Sequence, residues 1–165
     1  MGVSEYLRSR HIPFEMILHQ PAPSATKLAQ SVHVSGRHVA KTVLVKAEYG
    51  YALAVVASTH RVDLRRLAAV LDVAEVRLAS EDEVERVFND CERGALPPFG
   101  RLYGLKTFVD ASLAGDAQIV FEGNVRHQGV RMRLSDFEAI EAPTRARFAA
   151  PIAPRQRRPS HRQAG

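Results

Sequence analysis

The pattern of apolar and polar positions predicts a series of short strands. Residues 14–19, 39–47 and 51–58 are rich in β-branched and other apolar residues, which is typical of strands. Only residues 48–50 ("EYG") separate the last two, so we expect them to form a hairpin. Four further strands are expected over residues 75–80, 106–113, 117–123 and 130–135.

Helical spacing of apolar residues follows side chains that cap helices. Asp63 precedes leucines and alanines three and four positions apart, and Ser80 with Glu83 forms a capping-box pattern. Other helices are expected over residues 4–11, after an N-cap at Ser24, and from a cap at Ser135 or Asp136 to a stop at Pro143. Because helices alternate with strands that include a hairpin, the pattern predicts a mixed sheet with helices packed against it, of α/β or α+β class.

Charge divides the chain of 165 residues into two parts. Residues 1–143 carry 17 Lys and Arg against 18 Asp and Glu, whereas residues 144–165 carry six Arg and no acid. The second part also contains three Pro and little to bury, so we expect one domain followed by a disordered tail. Such a tail is either a solubilising extension or a segment that binds a phosphate backbone.

Targeting signals and cysteine content point to the cytoplasm. The sequence has no run of about 18 apolar residues, which a transmembrane helix needs. Its first residues lack the apolar core of a signal peptide. The single cysteine, Cys91, cannot form an internal disulfide, which fits a reducing compartment. We therefore expect a cytoplasmic protein with no membrane partner.

Lys41 is the polar residue whose position is most informative. Period-two alternation in the strand over residues 39–47 places Lys41 on one face with Val39, Val43 and Val45. A lysine on an apolar face must find a partner, extend to water or lose its charge. Two explanations remain open: a strand-end lysine that reaches solvent, and a cleft lysine that positions a substrate.

The other reactive residues form no recognised motif. Seven histidines are scattered without the spacing of a zinc site, so neither a metal nor a cofactor is expected. His19 ends a strand just before a Pro-rich turn, and both a site residue and a surface histidine remain open there. No partner can be named that would make Cys91 a nucleophile, and no GxSxG, P-loop or GxGxxG motif occurs.

Residues 91–100 ("CERGALPPFG") are expected to form a shaped loop. Gly94 has access to backbone conformations closed to other residues, while Pro97 and Pro98 fix φ and remove two N–H donors. Such a segment is neither a central strand nor the interior of a helix. Its shape serves either a turn or a ligand.

Five segments, in order, resemble the YbaK/prolyl-tRNA-synthetase-associated family of aminoacyl-tRNA deacylases. They lie between His19 and Ile140 and read "HQPAPSATKLAQ", "VAKTVLV", "LAVVASTHRVDLRRLA", "GALPP" and "IVFEGNVRHQGVRMRLSDFEAI". Members of this family are either free-standing or inserted in prolyl-tRNA synthetases. The resemblance implies a single α/β (α+β) domain over residues 1–143, with a mixed, mostly antiparallel sheet of about six or seven strands.

The resemblance also implies roles for individual residues. Lys41 matches the family's essential lysine near the aminoacyl end of the tRNA, and Gly94 to Pro98 match the loop that lines the pocket beside it. Hydrolysis is implied to use water, backbone amides and the terminal ribose hydroxyl, without a metal. The substrate-binding residues implied are His19, Ser24, Thr42, Gly94, Ala95, Leu96, Pro97, Pro98, Phe99, Gly100 and Gly123.

The chain departs from the family in two places. Where the family often has a small residue, Gly and a basic residue after the penultimate strand, this chain reads "FEGNVRH", with Glu122 and Asn124. The Arg-rich segment over residues 144–165 is also outside the family pattern.

The function predicted is that of a free-standing trans-editing hydrolase. It would cleave the ester bond of aminoacyl-tRNA mischarged with a small amino acid such as Ala, Ser or Cys. Its partners would be the acceptor end of the tRNA and an aminoacyl-tRNA synthetase. The alternative is a non-catalytic tRNA- or synthetase-binding module with the same fold, and a third option is a regulatory domain that binds a free amino acid. Lys41 on an apolar face favours the enzyme.

Overall fold

The computed structural model describes residues 1–20, 35–113 and 118–153. Its α-helices are α1 (Val3–Ser9), α2 (Leu64–Leu71), α3 (Glu81–Val87) and α4 (Leu134–Glu141). The first five strands are β1 (Glu15–Leu18), β2 (Ala40–Ala47), β3 (Gly50–Ala57), β4 (His60–Val62) and β5 (Val76–Leu78). The others are β6 (Thr107–Asp110), β7 (Gln118–Glu122), β8 (Gln128–Arg133), β9 (Thr144–Ala146) and β10 (Ala149–Pro151). Short 3-10 helices lie at Gly36–His38 and Gly100–Tyr103.

The strands form a mixed, mostly antiparallel arrangement, which confirms the predicted fold class. One sheet has the order β5-β2-β3-β6-β9, a second has the order β1-β8-β7, and β4 pairs with β10. Only the β3–β6 and β6–β9 pairs within the named strands are parallel. A further parallel bridge between Val39 and Val120 places β7 beside the start of β2. The two larger sheets therefore meet at this bridge.

Local sequence signals placed several elements correctly. The predicted hairpin is confirmed, since β2 and β3 pair along their whole length from Ala40↔Ala57 to Ala47↔Gly50. The side chain of Asp63 accepts hydrogen bonds from two backbone N–H groups at the start of α2. At the start of α3, Ser80 and Glu83 form the predicted capping box.

Two helix predictions had different outcomes. The last helix begins at Leu134 without a side-chain cap, so the cap predicted at Ser135 or Asp136 is wrong. The cause is β8, which runs directly into α4 and leaves its last residue, Arg133, in extended conformation at the N-cap position. The helix predicted after Ser24 lies outside the described residues.

Residues beyond Pro143 contribute to the fold, so the disordered tail predicted from residue 144 is wrong as far as residue 153. β9 pairs with β6 and β10 pairs with β4. Between them, Phe148 is fully buried in the cluster that contains α2 and β3. The carboxylate of Asp110 accepts hydrogen bonds from the backbone N–H groups of Phe148 (2.7 Å) and Ala149 (3.0 Å). Burial of the Phe148 side chain and hydrogen bonding of these two N–H groups stabilise this segment within the fold, although its Arg-rich composition predicted disorder.

The hairpin of β2 and β3 is covered on both faces. Residues such as Val45 and Val56 pack against α2 and Phe148 on one face. On the other, Ala40 and Val55 join a cluster that includes α1, α4 and three phenylalanines. A sheet buried on both faces reads as a near-continuous apolar run, as β2 and β3 do. A polar side chain in β2 therefore lies in a mainly apolar environment on either face of the sheet.

Candidate active site

Lys41 lies near the start of β2, on the face that packs against α2. Its cross-strand partner is Val56, which belongs to the α2 cluster. The half-buried side chain extends to β4, where Nζ donates a hydrogen bond to the carbonyl oxygen of His60 at 2.7 Å. Within the described ranges, no carboxylate lies within 4 Å of this ammonium group. Burial consequently lowers the pKa of Lys41.

Glu122 is the last residue of β7, and its position on that strand corresponds to the position of Lys41 on β2. From the parallel bridge between Val39 and Val120, each strand continues for two residues, to Lys41 on β2 and to Glu122 on β7. Because strand side chains alternate with period two, Lys41 and Glu122 lie on the same face as the bridged valines. The bridge therefore places the two residues on one face of neighbouring strands, while the ammonium group of Lys41 is directed toward β4.

The carboxyl group of Glu122 is buried without a hydrogen-bond partner. Only 7% of the residue is exposed, and neither Oε1 nor Oε2 is within hydrogen-bond distance of a donor in the described parts of the chain. Burial raises the pKa of Glu122 to about 8, an effect that Arg126 reduces and Glu92 increases. A buried carboxyl without a partner is costly, and such residues concentrate at functional sites.

His19 faces Glu122 across a glycine. His19 follows β1 and extends its ladder, since its backbone N–H donates to His127 O at 3.0 Å. The imidazole Nε2 of His19 is 3.8 Å from Glu122 Oε2, and the side chain of His19 is 3% exposed. Between them Gly129 pairs with both Ile17 and Glu122. A Cβ at Gly129 would lie 3.7 Å from the His19 ring, so a larger side chain would compete with the ring for this space.

The tautomer of His19 follows from its other nitrogen. Nδ1 lies 2.6 Å from the carbonyl oxygen of Gln20, which can only accept a hydrogen bond, so Nδ1 carries a proton. In the neutral ring Nε2 is then an acceptor, and it has no partner among the described residues. In this neutral tautomer a lone pair of His19 Nε2 faces the carboxyl group of Glu122.

The loop over residues 91–100 packs mainly on the opposite face of β2. Leu96 is half-buried against a cluster that contains Leu44, Leu53 and Phe88. Pro97 and Pro98 are buried, and Gly94 has a φ of +82°, a conformation that favours glycine. The loop is joined to the end of β7, because the backbone N–H of Glu92 donates to Asn124 O at 2.8 Å.

Several of the residues predicted to bind substrate have packing roles. Ala95 and Phe99 are fully buried, and Phe99 contacts three aromatic rings of the core. A Cβ at Gly100 would lie 2.4 Å from Thr107 Oγ1, so only glycine fits there. A Cβ at Gly123 would lie 3.1 Å from Val130 Cγ2, which leaves little room.

The remaining predicted residues lie apart from Lys41 or outside the described structure. Thr42 points to the opposite face from Lys41, with its Oγ1 buried and without a hydrogen-bond partner in the described chain. Ser24 lies outside the described residues. The structure therefore brings His19 and Lys41 to one face of the sheets and leaves Thr42 and Leu96 on the other.

Cys91 belongs to a separate polar cluster beneath the loop. Its thiol contacts Asp90, Tyr103 and Asn124 at 3.3–3.4 Å. Burial raises the pKa of Cys91 to about 11, so the thiolate is scarce at neutral pH and a nucleophilic role is disfavoured. The Oδ1 atom of Asn124 accepts the backbone N–H of Val3 at 2.9 Å, which gives Asn124 a structural role.

Glu122 is the site residue that sequence reasoning missed. Its sequence context marked it only as a departure from the family pattern, although a carboxyl at the end of an apolar strand is itself a signal. The approach of Glu122 to His19 depends on the register of β1 and β7 against β8, and no local sequence pattern specifies that register.

Two further features concern metals and membranes. Among residues 1–20, 35–113 and 118–153, no three His, Cys, Asp or Glu side chains come together as metal ligands would. No helix in the same ranges is long and apolar enough to cross a membrane.

Comparisons with known proteins identify relatives in translation. A proline–tRNA ligase of Xanthomonas oryzae pv. oryzae (strain MAFF 311018) is 34% identical over 98 residues, and one of Xanthomonas axonopodis pv. citri (strain 306) is 32% identical over 98 residues. Each match covers 59% of this chain but only 17% of the ligase.

Solved structures share the fold. A proposed trans-editing enzyme for prolyl-tRNA synthetase superposes with a TM-score of 0.77 and 22% identity, over 90% of this chain and 94% of that chain. The hypothetical protein APE2540 gives a TM-score of 0.82 at 18% identity, over 90% of this chain and 99% of that chain.

Residues 19–140 match the model of the aminoacyl-tRNA editing domain. This match spans most of the chain and includes His19, Lys41 and Glu122. The chain therefore belongs to the aminoacyl-tRNA editing domain family.

Proposed function

We propose that this domain hydrolyses the ester bond of aminoacyl-tRNA mischarged with a small amino acid such as Ala, Ser or Cys, and acts in trans. The family supports an editing role. Likeness to a proposed trans-editing enzyme over 94% of that chain supports action apart from a synthetase. The observation in this chain that carries the proposal is the half-buried ammonium group of Lys41, held by the His60 carbonyl oxygen and by no carboxylate of the described residues.

Lys41 is suited to hold an oxygen of the substrate. Its ammonium group has three N–H donors, of which one is used by the His60 carbonyl oxygen. The other two are left for a phosphate or ribose oxygen at the acceptor end. Because the group is half-buried, its attraction for an anion is screened less than that of an exposed lysine. Lys41 therefore positions the aminoacyl end rather than taking a proton from water.

The reaction needs no covalent intermediate with the protein. Water adds to the ester carbonyl carbon, the resulting oxyanion collapses, and the bond from carbon to the ribose oxygen breaks. The proton lost by water is returned to the ribose oxygen, so free amino acid and tRNA are released. An aminoacyl ester is an activated substrate, and precise positioning of water and ester supplies a large part of the rate.

The loop over residues 91–100 is proposed to bound the amino-acid pocket. Its anchor on Asn124 holds it next to the end of β7, where Glu122 lies. Pro97 and Pro98 keep the loop in few conformations, so the size of the pocket changes little on binding. Selection by size is modest, since one methylene is worth about 1–3 kcal/mol, and a separate editing step is useful for that reason.

Deacylation of a panel of substrates tests the proposal. Purified protein is incubated with tRNA mischarged with Ala, Ser or Cys, and with tRNA correctly charged with Pro as the control. We expect at least one mischarged tRNA to be hydrolysed faster than the control, at a rate that EDTA does not change. If EDTA abolishes the activity and zinc restores it, metal independence is wrong.

The same panel separates the enzyme from a binding module. Hydrolysis of none of the substrates, together with tight binding of the tRNA, would contradict the enzyme and favour a non-catalytic module with this fold. Binding of neither tRNA nor its aminoacylated end would contradict both.

A further inference from the structure

When Glu122 is ionised and His19 is neutral, the carboxylate of Glu122 and the Nε2 atom of His19 form a buried pair of acceptors. Their atoms are 3.8 Å apart, and in the described chain neither receives a hydrogen bond. Both side chains are more than nine-tenths buried. A charged carboxylate and a neutral imidazole lone pair would both be satisfied by a ligand that carries several N–H donors. The pair is therefore complementary to a primary ammonium group.

The protein itself supplies no such donor at hydrogen-bond distance within the described ranges. Arg126 and Glu92 are the charged groups that act on Glu122, and they act in opposite directions. Arg126 makes no ion pair with Glu122 within 4 Å, and its backbone N–H is held by Glu92 Oε2 at 2.9 Å. Lys41 lies on the same face, but its ammonium group is bonded to the His60 carbonyl oxygen.

An aminoacyl group carries one ammonium group next to the ester carbonyl. Lys41 and Glu122 lie on neighbouring strands, so a substrate whose ribose or phosphate oxygen contacts Lys41 extends its amino acid over the same face. We propose that Glu122, with His19 Nε2 beside it, binds the α-ammonium group of the aminoacyl moiety. This inference rests on the proposed function, because it identifies how that substrate is recognised.

The assignment gives the buried carboxyl group of Glu122 a role in binding. In the free protein burial favours the neutral form of Glu122, whose pKa is raised to about 8. An ammonium group at about 3 Å would restore the charged form, in the manner of a buried ion pair. A substrate whose α-amine is acylated has no charge and fewer N–H donors, and so would lose this contact.

The experiment measures binding without hydrolysis. The probes are amide analogues of alanyl-adenosine, in which nitrogen replaces the ester oxygen, made with either a free or an N-acetylated α-amine. Calorimetry gives the affinity of each analogue for the wild type, Glu122→Gln, Glu122→Ala and the control Glu92→Gln. Glu92 lies near Glu122 and carries the same charge, and the amide oxygen introduced by Glu92→Gln can still accept the Arg126 N–H.

We expect the wild type to bind the free amine about tenfold or more tightly than the acetylated form. Both Glu122 variants should bring this ratio close to one, and Glu92→Gln should keep the wild-type ratio. Equal affinities in the wild type, binding of neither analogue, or an unchanged ratio in the Glu122 variants would overturn the assignment. The wild-type comparison decides the matter even if a variant fails to fold.

Failure of this inference is distinguishable from failure of the proposed hydrolysis. If the binding ratios are as expected but no ester is cleaved, the ammonium site stands and the catalytic proposal falls. If mischarged tRNA is cleaved equally well with a free and an N-acetylated amino acid, the catalytic proposal stands and the ammonium site falls.

Discussion

Lys41 and Glu122 occupy corresponding positions on neighbouring strands, each two residues beyond the Val39–Val120 bridge and on the same face. Among the described residues, no Asp or Glu lies within 4 Å of the Lys41 ammonium group and no Lys or Arg within 4 Å of the Glu122 carboxyl group, which has His19 Nε2 at 3.8 Å. Two incompletely paired ionisable groups on one partly buried surface are unfavourable for stability. A bound substrate that carries both an anion and an ammonium group would satisfy both.

Replacement of Lys41 should abolish activity and leave the fold intact. In Lys41→Ala the substrate loses its ammonium contact, while the protein loses one hydrogen bond and the cost of burying a charge, so melting should change little or rise. Deacylation rate and melting temperature are measured beside those of the wild type. Lys46→Ala is the matched control, because Lys46 lies on the opposite face of β2 over the ring of Tyr51. Wild-type activity in Lys41→Ala would remove the lysine from the mechanism.

Replacement of Glu122 should change the pH dependence of stability. The pKa of Glu122 is about 8 in the folded protein and near 4.5 when the group is unperturbed, so the folded state holds an additional proton between these values. The free energy of unfolding of the wild type therefore falls as pH rises from about 5 to 8 through this group. Glu122→Gln removes the effect and should be roughly 1–3 kcal/mol more stable than the wild type at pH 8, with a smaller gain at pH 5.

Chemical denaturation at several pH values measures this difference. Because the two proteins share every other titratable group, only the change in the difference with pH is interpreted. A constant difference between pH 5 and pH 8 would show that Glu122 is already ionised in the folded protein at the lower pH. Glu92→Gln keeps the Glu122 carboxyl group and removes only the part of its pKa shift that Glu92 causes, so its difference from the wild type should change much less between pH 5 and pH 8.

Removal of the Asp110 carboxylate should destabilise the whole domain. Its oxygens accept hydrogen bonds from the backbone N–H groups of Ser112, Phe148 and Ala149, at 2.7 to 3.0 Å. Asp110→Ala leaves these donors without their partner, and we expect a loss of about 2 kcal/mol or more. Thermal and urea denaturation measure this loss in the free energy of unfolding. An exposed acid replaced in parallel, Glu75→Ala, should have little effect, and equal melting of the two variants would contradict this role of Asp110.

Deletion of residues 154–165 should weaken tRNA binding without slowing the chemical step. This segment carries four Arg and no acid, so it adds an attraction to phosphates that is independent of sequence and sensitive to salt. Affinity for tRNA should fall at low salt, and its dependence on salt should become less steep, while the saturated deacylation rate stays the same. Unchanged affinity at low salt would return the segment to a solubilising role.

Local signals in the sequence were sufficient for much of the fold. Asp63 and Ser80 each cap the helix that follows, because capping needs only residues within one turn. The three-residue strands β4, β9 and β10 are too short for a period-two pattern and were missed. Their position depends on contacts distant in sequence, such as the burial of Phe148, which the Arg-rich composition around it conceals.

The site was predictable only in part for the same reason. The apolar neighbours of Lys41 follow from alternation within one strand, so its unusual environment could be read from the sequence. The approach of His19 to Glu122 requires three strands in a particular register, with Gly129 between them. No local pattern specifies that register, and Glu122 therefore stood out only as a departure from its family.

The pairing of β10 with β4 determines where the protein can be shortened. β4 supplies the carbonyl oxygen that holds Lys41, and Ile152 donates its backbone N–H to Thr59 O at 2.9 Å, directly before that strand. Residues 154–165, which carry four Arg, are attached to the chain just after this pairing. Truncation after residue 153 removes these charges and preserves the pairing of β10 with β4. Truncation after residue 147 would also remove β10, the strand that pairs with β4. It would thereby disturb the hydrogen bond between Lys41 and the His60 carbonyl oxygen in β4.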